Sequence, residues 1–106
     1  MLQDKALSML GLAARANKVA SGEFSTEKMV KAGKAYLVLV AADASDNTQK
    51  KFRNMCNFYH TPLRIYGTRE QLGYAIGKEY RASLAITDEN LASAIAAKLP
   101  AMETTE

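Results

Sequence analysis

The sequence predicts a three-layer α/β/α sandwich, and three observations carry that expectation. Strand-like and helix-like segments alternate through the 106 residues without an internal repeat or low-complexity tract, the pattern of a sheet covered by helices. Tyr36-Leu37-Val38-Leu39-Val40-Ala41-Ala42 is a continuous apolar run, which a strand shows when both its faces are buried. Hydrophobic residues make up 48% of the chain, enough for one real core, and the length suits a single domain.

Each element has a local reason. Leu2 to Ala16 reads as a helix with Ala6, Leu7, Leu10, Ala13 and Ala14 on one side. Lys18 to Ser21 is a short strand. Gly22 follows, and a helix runs to about Ala32, its apolar face made by Thr26, Met29 and Val30, with Gly33 as the stop. After the apolar run, Asp43 to Asn47 is a polar turn. The next helix sets Phe52, Met55, Cys56 and Tyr59 in one stripe, with Lys50, Lys51, Arg53, Asn54 and Asn57 opposite. Pro62 breaks it, and Leu63 to Tyr66 makes a third strand. Thr68 and Gln71 form a capping-box pair that opens a helix carrying Leu72, Ala75 and Ile76, ended by Gly77. Ser83 to Ile86 is a fourth strand. Thr87 or Asp88 caps a last helix bearing Leu91, Ala94, Ile95 and Leu99, and Pro100 stops it. Residues 1–100 thus read as one domain and residues 101–106 as a short acidic tail that frays. The pattern leaves strand order open.

Charge and residue types narrow the function. Fourteen Lys and Arg face eleven Asp and Glu, for a net +3. Two of those acids, Glu103 and Glu106, follow Pro100, so the folded body is more basic than the whole chain and suits a polyanionic partner. Cys56 is the single cysteine, which excludes an internal disulfide and fits a reducing cytoplasm. No stretch approaches the length of a membrane span, and the start lacks the order of a signal peptide. His60 stands at a helix end with no serine or cysteine spacing that points to it, and reads as a surface residue. Cys56 lies on the apolar stripe and reads as a core thiol. One His and one Cys cannot build a zinc site from soft ligands. Asp43, Asp46 and Asp88 read as turn and cap residues rather than as magnesium ligands. No dinucleotide or phosphate-loop motif is present. The expectation is therefore a cytoplasmic monomer with no catalytic residue, metal, cofactor or small-molecule substrate.

Two glycine-containing junctions carry the functional signal. In Ser21-Gly22-Glu23-Phe24-Ser25-Thr26-Glu27-Lys28 a strand hands over to a helix. A helix start offers unpaired N–H groups and the positive end of its dipole, which suits a phosphate. Lys28 and Lys31 follow on the exposed side. In Ile76-Gly77-Lys78-Glu79-Tyr80-Arg81-Ala82 a short loop carries two cations and an aromatic ring, which can lie along a sugar-phosphate backbone and stack on an unpaired base. Taken alone, each junction reads first as an ordinary cap with solvated charges.

From about Gly11 to Leu91 the sequence resembles the kink-turn-binding ribosomal-protein superfamily of the L-seven-Ae type, and within it the small bacterial YlxQ-like branch. The resemblance rests on Gly11-Leu12-Ala13-Ala14-Arg15-Ala16-Asn17-Lys18, on Ser21-Gly22-Glu23, on Lys34 to Ser45, and on Leu72-Gly73-Tyr74-Ala75-Ile76-Gly77-Lys78. It implies a central four-stranded mixed sheet between helices. It also implies binding of structured, ribosomal RNA through the two junctions; with the basic residues around them, the expected contact residues are Lys18, Gly22, Glu23, Phe24, Ser25, Lys28, Lys31, Lys78, Glu79, Tyr80 and Arg81. Gly22 matches the family glycine and Lys28 a family basic residue, while Glu79 to Ala82 fall on the loop that covers a flipped-out nucleotide. One position pair departs. Family members that bind RNA carry Asn and an acidic residue two and three places after the glycine, to hydrogen-bond guanines. Here those places hold Phe24 and Ser25. The alternative to an RNA-binding protein is a protein–protein adaptor that keeps the fold and has lost the RNA contacts.

Overall fold

Capping chemistry sets where the helices begin. In the computed structural model, which describes residues 4–100, Asp4 Oδ1 accepts the Leu7 N–H at 2.9 Å and opens α1 (Lys5–Arg15). Ser45 Oγ accepts the Thr48 N–H at 3.1 Å and opens α3 (Asp46–Tyr59). Thr68 and Gln71 form the full capping box of α4 (Arg69–Ala75). Asp88, not Thr87, caps α5 (Glu89–Ala97) through the Leu91 N–H. Among the described helices, α2 (Glu23–Lys31) alone starts without a side-chain cap, at Gly22.

The strands are β1 (Val19–Ser21), β2 (Leu37–Val40), β3 (Leu63–Ile65) and β4 (Ser83–Ile86), in the spatial order β1-β4-β2-β3. β4 runs antiparallel to both β1 and β2, and β2 runs parallel to β3, so the sheet is mixed. α2 and α3 pack side by side, α2 over β1 and β4, α3 over β2 and β3. α1 and α5 pack together against β1 and β4, with α4 beside α1. Every residue of β2 and β4 is buried, whereas the two edge strands are half-buried throughout.

Several boundaries tighten on the expectation. Of the apolar run, Leu37 to Ala41 is buried, but Tyr36 is 42% exposed and Ala42 lies at the surface. The α3 stripe buries Phe52 and Cys56, half-buries Met55 and leaves Tyr59, at the last turn, exposed. In α5 the buried residues are Ala92 and Ile95, with Leu91 and Ala94 half-buried. The expected tail after Pro100 and the expected first turn at residues 2–3 lie outside the described residues. His60 ends α3 in the left-handed region (φ 59) and is exposed. Burial pushes the Cys56 thiol up to about 11, so it stays protonated and inert.

Two glycines let α4 sit close to its neighbours. A Cβ on Gly11 would lie 2.9 Å from the Ala75 carbonyl oxygen, so α1 and α4 approach at backbone contact. A Cβ on Gly73 would lie 2.4 Å from the Glu79 carbonyl oxygen and 2.8 Å from the Tyr80 nitrogen. The loop after α4 therefore rests directly on the helix. Gly77 (φ 80) turns the chain, its N–H donating to Tyr74 O and that of Lys78 to Gly73 O, which is a Schellman end.

Leu39→Ala should cost about 2–5 kcal/mol by opening a cavity between the interior strands, read by urea unfolding. Ala for Gly inside a helix ordinarily stabilises by up to about 1 kcal/mol, but Gly73→Ala should destabilise by about 1–3 kcal/mol because only backbone can give way. A melting temperature at or above wild type would refute that sign. Tyr66 O–H donates to the Asp4 carboxylate, and this bond, with burial, raises its pKa from 10.0 to about 12. The stabilisation is whole below pH 10.0 and is lost as pH rises through about 12. The gap in melting temperature between wild type and Tyr66→Phe should close over that window.

Candidate nucleic-acid interface

Register brings the two junctions to one end of the sheet. Ser21 pairs with Leu84 and Val40 with Ser83, so the C-terminal ends of β1 and β2 lie beside the start of β4. The Gly22 N–H donates to Ser83 O at 2.9 Å, and the Ala41 N–H to Ala82 O at 2.9 Å. Ser83 Oγ and Thr26 Oγ1, both buried, meet at 3.4 Å and fix α2 on β4.

Arg81 ties the junctions together through its side chain. Its Nε donates to Ser21 Oγ at 3.0 Å, across 60 residues of sequence, and its Nη1 to Tyr80 O at 2.7 Å. Its backbone N–H donates to Arg69 O at 3.0 Å. The guanidinium is thus oriented before any partner arrives, and its Nη2 amino group has no partner among the described residues. A guanidinium held in this way suits bidentate contact with phosphate.

At α2, Gly22 adopts φ 95 and ψ 161, open to glycine and strained for other residues, although the space a Cβ would enter is empty to 4 Å. The first turn's N–H groups lack a side-chain cap and stay available to an anion. Phe24 and Lys28, four residues apart on one side of α2, are both exposed, Phe24 by 78%. Phe24 is therefore not a packing residue. Ser25 is half-buried. On the side towards α3, Glu23 pairs with Lys51 at 2.6 Å, and Glu27 pairs with Lys51 at 3.0 Å and with Lys31 at 2.7 Å. The bond to Lys31, then that to Lys51, holds the Glu27 carboxyl below its usual range.

The loop sets Lys78, Glu79 and Tyr80 at the surface, Tyr80 by 62%. Of the expected contact residues, Gly22, Glu23, Phe24, Ser25, Lys28, Lys78, Glu79, Tyr80 and Arg81 thus belong to the two joined junctions. Lys31 belongs to the last turn of α2, already paired with Glu27. Lys18 does not join them: its carbonyl accepts the Thr87 N–H at the opposite end of β1. Sequence reasoning missed Ser21 as the partner of Arg81, and it missed Arg69 and Asp43. The Arg69 N–H donates to Asp43 Oδ1 at 2.8 Å at this same sheet end, with Nε 3.6 Å from it. Ser21 was legible as part of the junction motif. Asp43 and Arg69 meet only because β2 and β3 are neighbours, which local pattern does not encode. Among the described residues, no group of three or more His, Cys, Asp or Glu could hold a metal ion, and no helix is long and apolar enough to cross a membrane.

The chain is 46% identical over 85 residues to the RNA-binding protein YlxQ of Bacillus subtilis (strain 168), covering 80% of this chain and 85% of that one. It is 36% identical over 90 residues to the RNA-binding protein YlxQ of Enterococcus faecium, covering 85% and 86%. The structure of a protein with unknown function from Bacillus halodurans superposes with a TM-score of 0.88 at 38% identity, covering 91% of this chain and 97% of that one. Residues 4–96 match the profile of the Ribosomal protein L7Ae/L30e/S12e/Gadd45 family, and the chain belongs to that family.

Proposed function

We propose that this chain is a non-enzymatic, cytoplasmic RNA-binding protein associated with ribosomes or another ribonucleoprotein. It reads structured RNA at the sheet end where α2 begins and the 77–82 loop returns. The observation that carries the reading is the Arg81–Ser21 hydrogen bond, which makes one surface of two junctions that each look ordinary alone. The bacterial relatives named as RNA-binding proteins support it. In this reading the start of α2 and the cations Lys28 and Arg81 take phosphates. Tyr80 and Phe24 offer faces to unpaired bases. It works as a monomer, without metal, cofactor or small-molecule substrate.

Kink-turn recognition is retained only weakly in this reading. Phe24 presents no hydrogen-bonding group to a guanine, and Ser25 only a hydroxyl that is half-buried. Lys28→Ala and Arg81→Ala should each weaken RNA binding and lower the slope of log affinity against log salt by roughly one unit. Lys98→Ala, at the end of α5, should change neither. Wild type should prefer a kink-turn over a plain duplex only slightly. Combining Phe24→Asn with Ser25→Glu should raise that preference by about 1–3 kcal/mol, measured by titration at one salt concentration. A wild type that already prefers the kink-turn strongly would overturn the reading of Phe24. One that binds neither RNA at low salt would leave the adaptor as the function.

A further inference from the structure

α2 carries a conflict of charge. Its sequence holds two acids, Glu23 and Glu27, against two bases, Lys28 and Lys31, so its own side chains leave it neutral. Glu23 stands first in the helix, directly after Gly22, and is 58% exposed. An acid there suits the helix dipole, yet it stands beside the place where a phosphate would dock. Lys51 resolves the conflict from another element. Reaching across from α3, its Nζ lies 2.6 Å from Glu23 Oε2 and 3.0 Å from Glu27 Oε1, so one cation faces both acids. Lys51 is half-exposed, on the side of α3 that the sequence pattern assigns to solvent. Ion pairs at such exposure contribute little to stability, whereas a carboxylate near a polyanion repels it over several ångströms unless it is neutralised.

We propose that Lys51 is a positioning residue for RNA affinity: by holding the carboxylates of Glu23 and Glu27 it keeps the α2 surface attractive to a polyanion without itself touching the RNA. This rests on the RNA-binding reading above. It assigns a role to a residue outside both junctions and makes the α2–α3 contact part of the binding device.

The test titrates the whole chain with a structured RNA at low and high salt. Lys51→Met keeps the aliphatic stem and frees both carboxylates; it should weaken binding several-fold at about 0.1 M salt and less at about 1 M, where screening is tighter. Lys51→Arg should bind as wild type. Lys98→Met, which removes the same charge at the end of α5, should also bind as wild type. The decisive variant combines Lys51→Met with Glu27→Gln, which removes one of the two acids Lys51 holds and leaves Glu23 untouched, and should recover most of the lost affinity. Thermal melting of each variant establishes that it is folded. Full affinity in Lys51→Met overturns the proposal. So does a double variant that stays as weak as Lys51→Met alone, because Lys51 would then be a direct contact. Wild type that fails to bind any RNA removes the reading beneath it, an outcome separate from both.

Discussion

The pairing of β4 with both β1 and β2 is the constraint on which the rest depends. Its antiparallel register with each neighbour carries the whole middle of the sheet. The same register sets Ser21 against Leu84 and Val40 against Ser83, so that Gly22 meets Ser83 where the 77–82 loop joins β4. A shift of one residue would turn every β4 side chain to the other face. It would expose Leu84 and Ile86 or bury them against the wrong helices, and it would carry Arg81 away from Ser21. Fold and candidate interface are therefore specified by one set of main-chain hydrogen bonds.

The interface is then refined by close approaches rather than by large side chains. Gly73 gives the loop a backbone floor, Gly22 gives α2 its uncapped start, and the guanidinium of Arg81 is held by a serine hydroxyl and its neighbour's carbonyl. Together these contacts fix directions: which way the cation points, and which side of α2 faces out. The ion pairs among Glu23, Glu27, Lys31 and Lys51 do the same for charge, gathering the acids on the α3 side and leaving Phe24 and Lys28 on the open side.

Much of this was legible in the residue order. The caps at Ser45 and Thr68 and the glycine stops at Gly33 and Gly77 are local signals, and local signals are what a sequence shows directly. The doubly buried run at Leu37–Ala41 was legible because burial on both faces favours an unbroken apolar run. Its ends were not, since Tyr36 and Ala42 are apolar yet lie beyond the cover of the helices. The placement of β4 between β1 and β2 was not legible either, because strand order depends on contacts between distant segments. The same limit hid Lys51, whose partners lie on another helix, and the meeting of Asp43 with Arg69. The glycines at 11 and 73 stood in the sequence as parts of a resemblance, and the structure supplies their physical cause.

Strand order also has a meaning in time. During synthesis β1 and β2 emerge early, yet neither can pair with the other, because the strand that joins them is the last of the four. Until Ser83–Ile86 has left the ribosome, only β2 and β3 can form their ladder, and β1 has no partner among the strands. Contacts of such long sequence separation form slowly and expose apolar strands meanwhile. The surface that joins Ser21 to Arg81 thus exists only once nearly the whole domain has been made. A truncated or stalled chain would carry most of the cationic side chains but not their arrangement.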